Sequence, residues 1–288
     1  MPISLTMPAK LINGKFLADE ILKDLRQKVV KLNRPPGFAV ILVGNDPASQ
    51  LYVRNKKKAC EKVGITFNQY LCGGEFCPQV TEEQILRMID WLNADPEVDG
   101  IIVQLPIPQK FDTQKIIEQI SPAKDVDSLN SATVKKFMAG EPGIISPLVQ
   151  AINAAIISTH ENLAGKNAVI ISNNAPYAQT RKKDLQDLGM NVEIISPAGN
   201  LAEKTKQADV LVVIAGQRNL IKKSMVKPDA IVIDVGTNAI SENEWVGDVD
   251  SDVAEVASWL TPVPGGIGPL TVAFLLKNTY ELAQKKQG

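Results

Sequence analysis

Gly37-Phe-Ala-Val-Ile-Leu-Val-Gly44 is a short, unbroken apolar run bounded by glycines, which is how a strand buried on both faces reads. It leads into Pro47-Ala-Ser-Gln-Leu-Tyr52-Val-Arg-Asn-Lys56-Lys-Lys-Ala-Cys60-Glu-Lys-Val-Gly64. Proline suits the first turn of a helix, and glycine suits the stop just past its last one. A strand near 65–71, a helix near 81–92 and the apolar run Gly100-Ile-Ile-Val-Gln104 continue the alternation. The second half repeats it, with apolar runs at 168–171, 192–195, 210–214 and 230–234 and helical patterns between them. Strands alternating with helices mean parallel sheets joined by right-handed crossovers, an α/β fold. The turn-rich segment 140–147, ahead of a long apolar helix, divides the chain into a domain over 1–146 and a second over 147–268. The last helix, 269–288, is expected to pack back on the first domain.

At 288 residues there is enough chain for two cores. Thirty-one Lys and Arg against 32 Asp and Glu recommend neither nucleic acid nor an anionic membrane as partner. No apolar run approaches 18 residues, so no membrane span is expected, and the first ten residues lack the pattern of a signal peptide. The odd count of three cysteines suits reduced thiols in a cytoplasmic protein. Cys72 and Cys77 are the one pair close enough in sequence to bridge or hold a metal, but no other thiol or histidine lies near them. His160 is the only histidine and sits at the foot of a helical run, a capping position. Its solitude excludes Ser-His-Asp triads, Cys-His dyads and His-rich metal sites. Acid–base work at neutral pH therefore falls to Lys, Tyr, Asp or Glu.

Tyr52 and Lys56 are four residues apart and share one helix face, an aromatic ring beside an amine. Alone, a helix with Arg54, Lys56, Lys57, Lys58 and Lys62 reads as a solvated basic face. Gln104 ends a buried strand ahead of Leu105-Pro106, where chemistry collects in parallel sheets. It either satisfies local backbone or orients Lys56. The loop Ser121-Pro-Ala-Lys-Asp125-Val-Asp127 offers two carboxylates, either as helix caps or as acceptors for paired donors on a heterocycle. Thr261-Pro-Val-Pro264-Gly265-Gly266-Ile-Gly268-Pro269-Leu-Thr271 is a stiff loop whose bare backbone allows close approach to a ligand. Asp234 and Asp248 are strand-end carboxylates.

Five segments carry a resemblance: Pro-Ala-Ser-Gln-x-Tyr-Val-x-x-Lys-x-Lys-Ala-Cys over 47–60, Asp-Gly-Ile-Ile-Val-Gln-Leu-Pro over 99–106, Lys-Asp-Val-Asp over 124–127, Val-Gly-Asp-Val over 246–249, and the loop 261–271. In this order and spacing they resemble the bifunctional methylenetetrahydrofolate dehydrogenase/methenyltetrahydrofolate cyclohydrolase (FolD-type) family, essentially end to end. The resemblance implies an N-terminal three-layer α/β domain bearing the folate site, a Rossmann-like parallel-sheet domain for NAD(P), an active site in the cleft between them, and a homodimer. It implies oxidation of 5,10-methylenetetrahydrofolate by hydride transfer to NADP, then hydrolysis of the methenyl product to 10-formyltetrahydrofolate. It puts the catalytic lysine on Lys56, its helix-mate on Tyr52, the glutamine on Gln104 and the pterin-binding aspartate on Asp125. Pro264 and Gly265 would shape the wall beside the ring.

The second domain departs from the family pattern. Where FolD-type enzymes carry Gly-Arg-Ser-x-Ile-Val-Gly-x-Pro, this chain reads Ser172-Asn173-Asn174-Ala175-Pro176-Tyr177-Ala178-Gln179-Thr180. Without glycine, side chains stand where a diphosphate approaches, and no cation remains there for a 2′-phosphate. The family's Cys-His-Ser-Arg/Lys-Thr becomes Ile194-Ile195-Ser196-Pro197-Ala198, and Asp-Val-Gly-Ile-Asn becomes Asp-Val-Gly-Thr237-Asn. By position the cofactor residues are Ser172, Asn173, Asn174, Ser196 and Thr237. Arg181 and Lys182, just past the loop, are the cations able to restore phosphate binding from another direction. These departures leave the cyclohydrolase half favoured, with the NADP-dependent half weakened, altered (NAD in place of NADP) or absent. The second reading is a catalytically silent folate-binding paralogue that partners or regulates an active enzyme.

Overall fold

A computed structural model describes residues 8–73, 79–241 and 244–287, so Cys77 lies outside the described residues. In chain order the first half holds β1 (Lys10–Leu11), α1 (Gly14–Val29), β2 (Gly37–Val43), α2 (Pro47–Val63), β3 (Thr66–Cys72), α3 (Glu82–Ala94), β4 (Gly100–Gln104), α4 (Thr113–Glu118) and α5 (Ser131–Met138). The second half holds α6 (Pro147–Ile157), β5 (Asn167–Ser172), α7 (Ala175–Asp187), β6 (Asn191–Ile195), α8 (Leu201–Thr205), β7 (Val210–Ile214), β8 (Ile231–Asp234), β9 (Asn238–Ser241), β10 (Glu244–Val246), β11 (Trp259–Leu260) and α9 (Ile267–Gln287). The chain divides into two compact units, Met1–Leu17 with Leu148–Leu270, and Ala18–Pro147 with Thr271–Gly288.

The second of these units is built on a parallel three-stranded sheet in the order β3-β2-β4. Every residue of the central β2 is buried, which is why its sequence runs apolar without alternation. Its side chains still alternate in direction. Phe38, Val40 and Leu42 pack with Leu25 and Val29 of α1, Val53 and Val63 of α2, and Leu275 and Leu276 of α9. Ala39, Ile41 and Val43 pack with Ile85, Ile89 and Leu92 of α3 and Ile116 of α4. The result is a three-layer α/β unit, each large apolar side chain contributing roughly 1.5–3 kcal/mol on burial. Asn278 of α9 donates its amide to the carbonyls of Val126 and Ile145, both at 2.8 Å. Asp99 has no exposed side-chain surface. It is gripped by Arg34 at 2.7 and 2.9 Å, by the Gly37 N–H at 2.9 Å and by Lys286 at 3.2 Å.

Helix α2 is fixed at both ends. The Asp46 carboxylate accepts from the Ser49 N–H at 2.7 Å, Pro47 occupies the first turn, and Gly64 stops the helix at φ 81°. Helix α3 begins with a capping box, in which the Thr81 hydroxyl accepts from Gln84 N–H while the Gln84 side chain accepts from Thr81 N–H.

The other unit carries a six-stranded, wholly parallel sheet in the order β1-β11-β8-β7-β5-β6. From β5 the chain moves outward to β6 and then crosses back to β7 on the far side. A topological switch point therefore lies between β5 and β7. Val169, Ile171, Leu211, Val213 and Val232 share one core with Leu201 of α8. The N-terminal segment departs from the boundary at 146: β1 pairs with β11, Lys10 opposite Trp259, so residues 8–17 belong with the second-half sheet. A two-residue strand has no periodicity to read, and its partner is chosen by the open sheet edge. The hairpin β9–β10 was also not foreseen. His160 follows α6, exposed and at φ 57°.

Candidate active site

In the three-layer unit, α2 and the end of β4 converge on one contact. Lys56, half-buried on α2, donates from Nζ to Gln104 Oε1 at 2.6 Å. Gln104 is the last residue of β4 and is itself buried. Its Nε2 donates to the Leu105 carbonyl at 2.6 Å, which leaves Oε1 as the end that faces the amine. The strand cannot extend past Leu105 because proline follows it, so the glutamine is held at a carboxyl edge rather than consumed in the ladder. Burial lowers the Lys56 ammonium to about 8, opposed by the Asp127 carboxylate, which favours the cation. Arg54 and Lys57 are exposed, so desolvation rather than like charge is the principal cause. Tyr52 is half-buried one turn before Lys56. Cys60, one turn after it, is fully buried. Its thiol is pushed up to about 12 by burial and stays protonated.

The carboxylates of 124–127 divide in function. Asp125 is 2% exposed, and burial raises its carboxyl. Its two oxygens accept backbone N–H groups of Leu129 at 3.3 Å and Asn130 at 2.9 Å, which organises the turn before α5. Asp127 is half-buried, and it is the carboxylate whose field reaches Lys56. The sequence offered both carboxylates, and the resemblance placed the pterin-binding role on Asp125. Their two-residue spacing does not separate them, since residues i and i+2 of an extended chain share a face; only their partners in the fold do.

Pro264 and Gly265 belong to the other unit, in the loop after β11. Pro264 is exposed, and Gly265, at φ 105°, accepts the Lys15 N–H on its carbonyl at 2.9 Å. In that unit Ser172, Asn173 and Asn174 sit at the carboxyl end of β5, Ser196 at that of β6 and Thr237 past β8. All five thus share the carboxyl edge of one parallel sheet. Ser172 is buried, and its hydroxyl accepts the Asn174 N–H at 3.1 Å; Asn173, Ser196 and Thr237 are exposed. The Asn173 amide donates across to the Ala215 carbonyl at 2.8 Å. Arg181 does not point toward this edge. It is 1% exposed, in the interior beside Asp184, whose carboxyl burial pushes up to about 6. Lys182 is half-buried.

Two buried aspartates brace the same edge from below. Asp248 accepts from three successive backbone N–H groups, Ala215 at 2.7 Å, Gly216 at 3.0 Å and Gln217 at 2.8 Å, and from the Asn238 amide at 2.9 Å. Asp234 accepts from Gly236, Asp248 and Val249 N–H groups, and burial together with the Asp248 charge pushes it up to about 7. Gly247 is required there: a Cβ at that position would lie 1.6 Å from Asp234 Oδ2. No cluster of three metal-ligating side chains occurs among the described residues, and no helix among them is long and apolar enough to cross a membrane.

Residues 12–127 match the catalytic domain of tetrahydrofolate dehydrogenase/cyclohydrolase, and residues 146–287 match its NAD(P)-binding domain. The bifunctional protein FolD of Janthinobacterium sp. is 42% identical over 285 residues, covering 97% of this chain and 99% of that one. The crystal structure of FolD from Campylobacter jejuni superposes with a TM-score of 0.90 at 36% identity, covering 96% and 99% of the two chains. That of the Trypanosoma brucei enzyme, complexed with NADP and an inhibitor, gives 0.90 at 30% identity over 99% of each. Likeness of this extent, through both units, means that the chain belongs to the tetrahydrofolate dehydrogenase/cyclohydrolase family.

Proposed function

We propose that this chain is a bifunctional enzyme of one-carbon folate metabolism, which oxidises 5,10-methylenetetrahydrofolate with NADP and hydrolyses the methenyl product to 10-formyltetrahydrofolate. The observation that carries the hydrolytic half is the contact of Lys56 with Gln104, an amine brought near neutrality by burial and held by an oriented amide. Water adds through oxygen to the cationic methenyl carbon while the neutral Lys56 amine takes one of its protons. The bond from that carbon to N5 then breaks. N5 receives the proton from Lys56, the remaining hydroxyl proton leaves to solvent, and the formyl group stays on N10. Tyr52 orients the folate from the same helix face. Asp127 takes the pterin-binding role that the resemblance gave to Asp125, because the Asp125 oxygens already serve backbone donors.

NADP use rests on the family of the second domain and on the NADP complex of the Trypanosoma brucei relative. The edge described here is not shaped for it as it stands: the loop after β5 has no glycine, and Arg181 is buried. When bound, NADP supplies the hydride acceptor. The test is purified protein assayed for oxidation of 5,10-methylenetetrahydrofolate with NADP⁺ and NAD⁺ in parallel, and separately for hydrolysis of the methenyl compound. Both activities are expected. Hydrolysis without oxidation would reduce the protein to a cyclohydrolase, and neither would leave a silent folate-binding paralogue. A homodimer belongs to the same proposal, and a sedimentation mass of one chain would overturn that part.

A further inference from the structure

The switch point between β5 and β7 is where a parallel sheet of this order receives a dinucleotide, with the diphosphate crossing the crevice outside the strand ends. Four backbone donors beside that crevice are already engaged. On the β7 side the N–H groups of Ala215, Gly216 and Gln217 all bond the Asp248 carboxylate. On the β5 side the Asn174 N–H bonds the Ser172 hydroxyl. Across the two sides the Asn173 amide donates to the Ala215 carbonyl at 2.8 Å. Ser172 pairs with Ile214 across the strands, so Asn173 and Ala215 are the next residues outward, directly over the crevice. Asn173 is exposed, so the link can be released without disturbing the core beneath it.

We propose that Asn173 is an amide brace closing the dinucleotide crevice, and that it competes with the cofactor's diphosphate and thereby sets this enzyme's cofactor affinity. The proposal rests on the cofactor half of the function proposed above. Because the brace opposes the diphosphate, which NADP and NAD share, it weakens both equally and does not discriminate between them. Releasing it costs one hydrogen bond, whose net worth corresponds to roughly three- to tenfold in affinity.

The test is titration of full-length wild type and Asn173→Ala with NADP⁺ and with NAD⁺ by calorimetry, with thermal unfolding of both proteins as the check on folding. Asn173→Ala is expected to bind both dinucleotides about three- to tenfold more tightly, by the same factor. Equal or weaker binding by a folded Asn173→Ala overturns the brace and leaves the cofactor reading standing. A gain confined to NADP⁺ also overturns it, since position 173 would then be sensing the 2′-phosphate. Binding of neither dinucleotide by either protein overturns the brace and the cofactor reading together; methenyl hydrolysis by the wild type then decides separately whether the folate reading survives.

Discussion

Replacing Lys56 with Met removes the amine and keeps an unbranched side chain on α2. With the lysine lowered to about 8, about one amine in ten is neutral at pH 7, against about one in three thousand at the ordinary value of 10.5. Hydrolysis limited by the neutral amine should rise about tenfold from pH 6 to 7 and level off above about 8. Lys56→Met should lose about 10²–10⁴-fold at the plateau, the usual worth of a positioned acid–base group. The same shift is a stability statement. The folded-state value lies below the unfolded one, so the unfolded chain holds the extra proton between about pH 8 and 10.5. Wild-type stability should therefore rise across that window, by at most about 3 kcal/mol. The variant lacks that rise, while leaving Gln104 Oε1 without its donor costs it about 1–3 kcal/mol at every pH. Stopped-flow hydrolysis of methenyltetrahydrofolate against pH, with urea midpoints over pH 7 to 10.5, reads both effects. Unchanged hydrolysis in Lys56→Met, or parallel stability curves for the two proteins, would refute the reasoning.

The two aspartates of 124–127 make a discriminating pair. Asp127→Asn removes the charge that favours the Lys56 cation, so its pH profile should move below 8, with a raised KM for folate. Asp125→Asn should instead lower the unfolding free energy by about 1–3 kcal/mol with KM little changed, and the reverse pattern would restore Asp125 to the site. At the opposite end of β4, Asp99→Ala should cost on the order of 3 kcal/mol, because it strips Arg34 and Lys286 of a buried partner. Burial opposes ionisation of Asp99, but Arg34, the Gly37 N–H and Lys286 overcome it and hold its carboxyl below the usual carboxylate range. Its contribution should stay constant from pH 7 to 5 and vanish only as pH falls through that lowered value. A gap between wild type and variant in chemical denaturation that closes already at pH 5 would count against it.

Much of the architecture was legible because burial on both faces writes itself as a continuous apolar run. Gly37–Val43 and Val210–Ile214 are buried almost throughout, and a sequence that must exclude water along a whole strand has little freedom to hide it. Helix α2 announced its ends through Pro47 and Gly64 because proline and glycine act through local backbone geometry. Tyr52, Lys56 and Gln104 were legible as candidates for the same reason: helix spacing and a strand end are local properties. The pairing of β1 with β11 was not legible, since two residues carry no period and the partner is set by a sheet edge completed far along the chain.

What the sequence by itself determined was the alternation of elements, the two-part division of the chain, the family, and which residue types were available for acid–base work with one histidine. What only the tertiary structure decided was direction. It turned the Asp125 oxygens onto backbone N–H groups and left Asp127 to act on Lys56, turned Arg181 into the interior, and carried the Asn173 amide across to Ala215. A side chain's chemistry is written in its residue type, but its orientation, desolvation and partner are set by groups distant in sequence. Lys56 reaches about 8 only because the surrounding fold removes water from it.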